Sequence, residues 1–170
     1  MAGWVKKNGA RREPDRAALE AAARRYEPRQ AHPPVSLEPL RDRLYGTMWD
    51  KVGIIRDAAG LESASRELAT IQEELEGHAL AADDRAFNLS WHDWINLRNL
   101  VEVSRVIASA AAVRKDSRGA HFRSDYPESS PLEFSTYTSA RIDGASPEIA
   151  MKPVAFTRVR PGQSLLEDAA

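Results

Sequence analysis

Residues 90–115 read Ser-Trp-His-Asp-Trp-Ile-Asn-Leu-Arg-Asn-Leu-Val-Glu-Val-Ser-Arg-Val-Ile-Ala-Ser-Ala-Ala-Ala-Val-Arg-Lys, and this stretch decides the fold. Trp94, Leu97, Leu100, Val101, Val103, Val106 and Ile107, followed by the Ala108–Val113 run, put apolar side chains on much of a helix circumference. A helix of that kind needs neighbours on several sides, so a central helix ending near Lys115 is expected. Ser90 followed three positions later by Asp93 reads as a near capping box for its start. The small side chains from Ala108 to Ala112 let a neighbouring backbone approach closely.

Two further helices lie upstream to pack against it. Leu37, Leu40, Leu44, Met48, Val52 and Ile55 recur every three or four residues, with Ser36 placed to cap and Pro39 tolerated in the first turn. Gly60 reads as the stop. Leu61, Ala64, Leu68, Ile71 and Leu75 then form a second stripe that ends at Gly77, with an acidic, solvated face opposite. The segment from Ala79 to Asn88 reads as a loop. These helices define an expected bundle over residues 36–128.

Either side of the bundle the patterning changes. Residues 1–35 hold little pattern at first, then a short peripheral helix from Ala17 to Tyr26, then a linker extended by Pro28, Pro33 and Pro34. Beyond Pro127 and Pro131 the period becomes two, with Phe134, Thr136, Thr138, Ala140 and Ile142 on one face. Turn residues Asp143, Gly144, Ser146 and Pro147 lead to a returning run from Ile149 to Val159, in which Pro153 marks an edge. A lone ribbon is marginal in water, so this one should rest on the helices or on something outside the chain. The expected fold is mainly α, a spectrin-repeat-like three-helix bundle with a β-hairpin tail over 129–162 and a frayed end over 163–170.

Composition narrows the function classes. Lys and Arg number 24 against 25 Asp and Glu, a formal charge of -1 that exerts no global pull on nucleic acid or anionic lipid. The absence of cysteine rules out disulfides, thiolate catalysis and Cys-held clusters within the chain. No stretch approaches the run of about 20 apolar residues that spans a bilayer, and no signal peptide pattern opens the sequence. A cytoplasmic protein, or one held at a membrane through partners, is expected.

The glycines are scattered as Gly46, Gly53, Gly60, Gly77, Gly119 and Gly144, without the Gly-x-Gly-x-x-Gly turn of a dinucleotide cradle. His32, His78, His92 and His121 lack metal-ligand spacing, and Ser90, His92 and Asp93 are too close in sequence for a hydrolase triad. Neither a catalytic residue, a cofactor site nor a metal site is expected.

One segment stands out: Arg114-Lys115-Asp116-Ser117-Arg118-Gly119-Ala120-His121-Phe122-Arg123-Ser124-Asp125-Tyr126-Pro127. It reads either as a helix end with cations near the negative dipole terminus and a glycine stop, or as a fixed polar lattice. In the second reading Arg114, Arg118, His121, Arg123 and Asp125 lock one loop geometry through forked Arg–carboxylate pairing and form a docking surface. A different possibility is a stand-alone binding module using the basic turn 118–123, with Phe122 and Tyr126, for RNA or protein. Neutral net charge and two aromatic residues are a poor nucleic-acid signal.

The run from Arg114 to Glu128 closely resembles the Arg-x-Glu-Ser-Arg-Gly-x-His signature of the C-terminal domain of succinate dehydrogenase and fumarate reductase flavoproteins and of L-aspartate oxidase. Asp116 stands where the family usually has Glu. The resemblance extends through Leu40-Arg41-x-x-Leu44 and Met48-Trp49-Asp50-Lys51-Val52-Gly53-Ile54-Ile55-Arg56 to Leu61 and Asn88, covering about residues 36–128, with the tail matching in kind. It implies a domain appended to FAD-binding and capping domains that carry the FAD and the catalytic residues, and it adds an iron–sulfur protein to the expected partners. The resemblance gives this chain no catalytic residue. The start at Met1 to Trp4 reads as a cut point in a longer flavoprotein; the competing arrangement is a split gene whose product joins a separate flavin-binding polypeptide.

Overall fold

A computed structural model describes residues 2–9, 13–27, 29–30, 36–80, 87–143 and 146–163. Three helices form the body: α3 (Glu38–Val52), α4 (Ala58–Gly77) and α5 (Leu89–Val113), each in contact with the other two. They are preceded by α1 (Ala2–Asn8), α2 (Arg16–Arg25) and β1 (Arg29–Gln30), and punctuated by β2 (Ile55–Arg56) and β3 (Ala79–Leu80). After α5 come β4 (Phe122–Arg123), a 3-10 turn at Leu132–Phe134, and the antiparallel pair β5 (Thr136–Asp143) and β6 (Ser146–Pro153). The mainly α bundle with a terminal hairpin is thus the architecture. Among the described residues no helix is long and apolar enough to cross a membrane.

The core is the three predicted stripes brought together. Leu40, Leu44 and Val52 of α3 meet Leu61, Ala64, Leu68, Ile71 and Leu75 of α4 and Trp94, Leu97, Val101, Ala108 and Ala111 of α5. Leu44, Leu61, Leu68, Ile71, Leu75 and Val101 are among the fully buried side chains, so their apolar area drives association of the helices. Trp94 adds direction: its indole N–H donates to the Leu75 carbonyl at 2.9 Å near the end of α4, which satisfies the one polar atom of an otherwise buried ring. The helix α2 buries no residue. It is held by polar clasps instead: Trp91 donates to the Tyr26 carbonyl at 2.8 Å, Arg25 pairs with Glu102 at 2.8 Å, and the Arg98 guanidinium lies over the Tyr26 ring at 5.4 Å.

Local details of the bundle and the hairpin differ from the sequence expectation in the following respects. First, α3 stops at Val52, because Gly53 turns extended where a Cβ would sit 2.8 Å from the Trp49 carbonyl oxygen, so Ile55 leaves the stripe, and both it and Ile54 are exposed. Gly60 is therefore not a stop. It lies in the first turn of α4, where its N–H donates to the cap residue Asp57 at 2.6 Å. Second, Asn88 rather than Ser90 caps α5, accepting from the Trp91 amide at 2.9 Å, and Asp93 pairs with Arg41 at 3.5 Å. Third, only one face of α5 is buried, and Leu100, Val103, Ile107 and Val113 stay exposed. Fourth, Phe134 belongs to the 3-10 turn, and the returning strand is Ser146–Pro153 rather than 149–159.

Residues 2–8, read from sequence as unpatterned, are helical. The expected loop after α4 opens with the β3 pair, which lies parallel to β1. The linker prolines Pro28, Pro33 and Pro34, Gly144 of the ribbon turn, and positions 164–170 of the frayed end lie outside the described residues. The hairpin itself rests on α5 through both of its strands.

Because Leu68 of α4 is fully buried in the shared core, Leu68→Ala should lose about 2–5 kcal/mol through lost transfer energy and a residual cavity. Urea unfolding followed by circular dichroism checks this: the midpoint should fall while the slope stays constant.

Candidate functional site: the polar turn after the central helix

Gly119 sits at a positive φ of 58°, the region that favours glycine, and lets the chain reverse so that Arg118 and His121 exchange backbone hydrogen bonds of 2.8 and 3.1 Å. The returning strand β4 pairs in parallel with β2, placing Ile55 beside Phe122 and Arg56 beside Arg123. The Phe122 amide donates to the Ile54 carbonyl at 3.1 Å and the Ser124 amide to the Arg56 carbonyl at 2.8 Å. The turn is thereby zipped to the α3–α4 connection.

Arg123 is the centre of the site. Its side chain is 2% exposed, and every face of the guanidinium finds an acceptor. Nε and Nη2 donate to the two oxygens of Asp125 at 2.7 Å each, a forked pair. Nη1 donates to the carbonyls of Ala111 at 2.9 Å, Ala112 at 3.3 Å and Arg114 at 3.0 Å, which are orphaned by the end of α5. Asp125 in turn accepts from the Ala58 amide at 3.1 Å, at the start of α4. Ser117 completes the knot: its hydroxyl accepts from the Arg123 amide at 2.8 Å and donates to the Tyr126 carbonyl at 2.8 Å.

The other residues singled out in the sequence surround this knot. Arg114 pairs with Asp116 at 2.8 Å and donates to the Thr136 carbonyl of β5 at 3.2 Å, joining the turn to the hairpin. Arg118 donates to the Ser130 carbonyl, but its Nε lies 3.8 Å from Asp116 and has no hydrogen bond. Asp116, whose side chain is one methylene shorter than that of Glu, does not reach it. His121 accepts at Nδ1 from Arg56 at 2.6 Å. Burial and then the Arg56 charge hold its pKa below the usual imidazole value, so the ring is a neutral acceptor here. Arg56 escaped the sequence reading because it lies 65 positions from His121 and only the β2–β4 pairing brings them together. A second feature also went unread. Trp49, Ile54 and Ile55, of which the sequence placed only Ile55 on a buried stripe, are 84%, 66% and 70% exposed and line one cleft together with Asp50 and Gly53.

With this geometry in place, the relationship to known proteins follows. Residues 41–165 match the family described as fumarate reductase flavoprotein C-term. The chain belongs to this family. The match covers the bundle and the hairpin alike. Among relatives, L-aspartate oxidase of Rhodospirillum rubrum is 41% identical over 101 residues, which is 59% of this chain and 30% of that protein. The fumarate reductase flavoprotein of Haemophilus influenzae is 30% identical over 129 residues, 75% of this chain and 22% of that one. Sdh1 of Mycobacterium smegmatis, solved in complex with UQ1, superposes with a TM-score of 0.82 at 30% identity over 94% of this chain and 27% of that chain. Adenylylsulfate reductase of Archaeoglobus fulgidus, 19% identical with a TM-score of 0.70 over 90% of this chain and 27% of that one, shares the fold alone. The chain thus spans under a third of the length of each of these proteins and corresponds to the C-terminal helical domain in flavoproteins of the succinate dehydrogenase and fumarate reductase type.

Two outcomes test the knot. Arg123→Ala strands three helix-end carbonyls and Asp125, and should cost about 3 kcal/mol, whereas Arg118→Ala, with fewer bonds, should cost about 1 kcal/mol; equal losses in urea melts would refute the ranking. The forked bond from Arg123, more than the Ala58 amide, lowers the Asp125 pKa to about 2. A carboxylate depressed in the folded state contributes stability above its unfolded pKa and loses it as pH falls through the folded one. The melting-temperature gap between the parent and Asp125→Asn should therefore stay constant above about pH 4 and close toward pH 2.

Proposed function

We propose that this domain packs on the flavin-binding and capping domains of its flavoprotein, and that the turn from Arg114 to Asp125, with the neighbouring surface, is the docking element. The observation that carries this is the exposed apolar cluster of Trp49, Ile54 and Ile55. Large apolar side chains gathered around one cleft mark an interaction surface more often than a solvated one. The cluster adjoins the knot directly, since Ile55 is the register partner of Phe122. The flavoprotein as a whole is a FAD-dependent oxidoreductase acting on a dicarboxylate-type substrate; its further partner is an iron–sulfur protein, and its position at the membrane is held through partners. Among the described residues nothing fits FAD: the parallel pairings are two residues long, and no glycine-rich strand-to-helix turn accompanies them. Redox chemistry is thus assigned to the other domains, and this one contributes scaffold and contact surface.

The test is reconstitution. The purified chain is mixed with the flavin-binding and capping domains of its flavoprotein, produced as a separate polypeptide, and the mixture is run on a sizing column with absorbance read at protein and flavin wavelengths. Co-elution in equal amounts is expected, and Trp49→Ser combined with Ile55→Ser should abolish it without lowering the melting temperature. Independent elution of the parent chain, or co-elution untouched by both substitutions, would overturn the reading.

A further inference from the structure

A groove of about 530 Å³ opens between the end of α5, the polar turn and the first strand of the hairpin. Ile107, Ala110 and Ala111 form its apolar floor and Thr136, Tyr137 and Thr138 one wall. Facing that wall are three guanidinium groups, Arg56, Arg114 and Arg118, beside the His121 ring. Among the described residues only Asp116 offers these cations a carboxylate, at 2.8 Å from Arg114 and 3.8 Å from Arg118. Arg56 is held entirely by neutral acceptors: the Val52 carbonyl at 3.1 Å, the Gly53 carbonyl and His121 Nδ1. Burial alone shifts its pKa downward, the mark of a cation without a counter-charge.

A partly buried guanidinium without an anionic partner is costly, and a cluster carrying surplus positive charge over an apolar floor matches one ligand chemistry. We propose that the groove binds an organic carboxylate, its charged head taken by Arg56 and Arg118 and its aliphatic part laid on Ile107, Ala110 and Ala111. Planar Arg forks favour a carboxylate's two oxygens, and the apolar floor favours an alkyl chain over a hydrated inorganic ion. Because Thr136, Tyr137 and Thr138 line the same groove, an occupant also bonds the hairpin to the bundle. Two sources supply this chemistry: a Glu or Asp side chain from the rest of the flavoprotein, or a free small organic acid.

The groove is probed with butyrate, which mimics a Glu side chain, at fixed ionic strength, following the His121 ring resonances by NMR. Saturable shifts are expected, together with a rise in the His121 pKa, since an anion beside Arg56 offsets the charge that depresses it. The charged groups facing His121 are Arg56 from β2, Arg114 at the end of α5 and Arg123 of the turn. Arg56→Gln should weaken binding about tenfold or more. Arg118→Gln serves as the second variant, since Arg56 also holds the end of α3, and should weaken it likewise. Ile107→Glu places a carboxylate in the groove from within the chain, and should abolish butyrate binding while leaving the melting temperature unchanged or higher. Repeating the titration on the full-length flavoprotein separates the sources. His121 already at its bound position and deaf to butyrate identifies a protein side chain, and continued saturable binding identifies a free acid. Absence of saturation, or equal binding of inorganic phosphate and butyrate, would overturn the proposal.

Discussion

Burying one guanidinium sets the terms for the region around it. Arg123 is withdrawn from water at the point where α5 ends, and a charge in that position is tolerable only with its hydrogen-bonding directions filled. Its partners come from three separate segments: the last turn of α5, the polar turn itself, and, through Asp125, the first turn of α4. Each segment is thereby placed relative to the other two. The β2–β4 pairing follows from that placement, and with it the exposure of Ile54 and Ile55 and the meeting of Arg56 with His121.

The bundle and the knot divide the work of specification. Apolar burial among α3, α4 and α5 supplies the driving force but is indifferent to how the helix ends are tied. The knot adds less free energy, since its ionic bonds mostly offset the desolvation they require, yet its forked and directional bonds admit one geometry. The hairpin, too short to stand alone, inherits its position from both: it leans on α5 and receives an Arg114 bond at Thr136. This arrangement leaves cations on one side of the turn and an apolar cluster on the other, two surfaces of different chemistry a few residues apart.

Much of this was legible without coordinates. The stripes of α3, α4 and α5 were readable because helical periodicity is a local property, and Leu61, Leu68 and Leu75 fall where the pattern puts them. The polar segment was readable as a candidate site because Arg, His and Asp were dense there, and its signature carried the family. The boundaries were less legible. Gly60 resembles a stop in sequence but serves as an amide donor inside a first turn. Ser90 and Asp93 resemble a capping box, yet Asn88, two positions earlier, takes the cap. In both cases two nearby positions suit one role, and the local pattern does not say which of them takes it.

Helix periods, the change to strand period after Pro131, the lack of cysteine and of a glycine cradle, and the family signature were all determined by the sequence itself, because each depends on residues close together along the chain. Which apolar side chains stay exposed, which arginine is buried and which is left without a carboxylate were decided by tertiary structure. Arg56 and Arg123 are the same residue type in similar local settings, but one meets only carbonyls and an imidazole and the other meets Asp125. Side-chain charge is written in the sequence; the company it keeps depends on contacts that only folding makes.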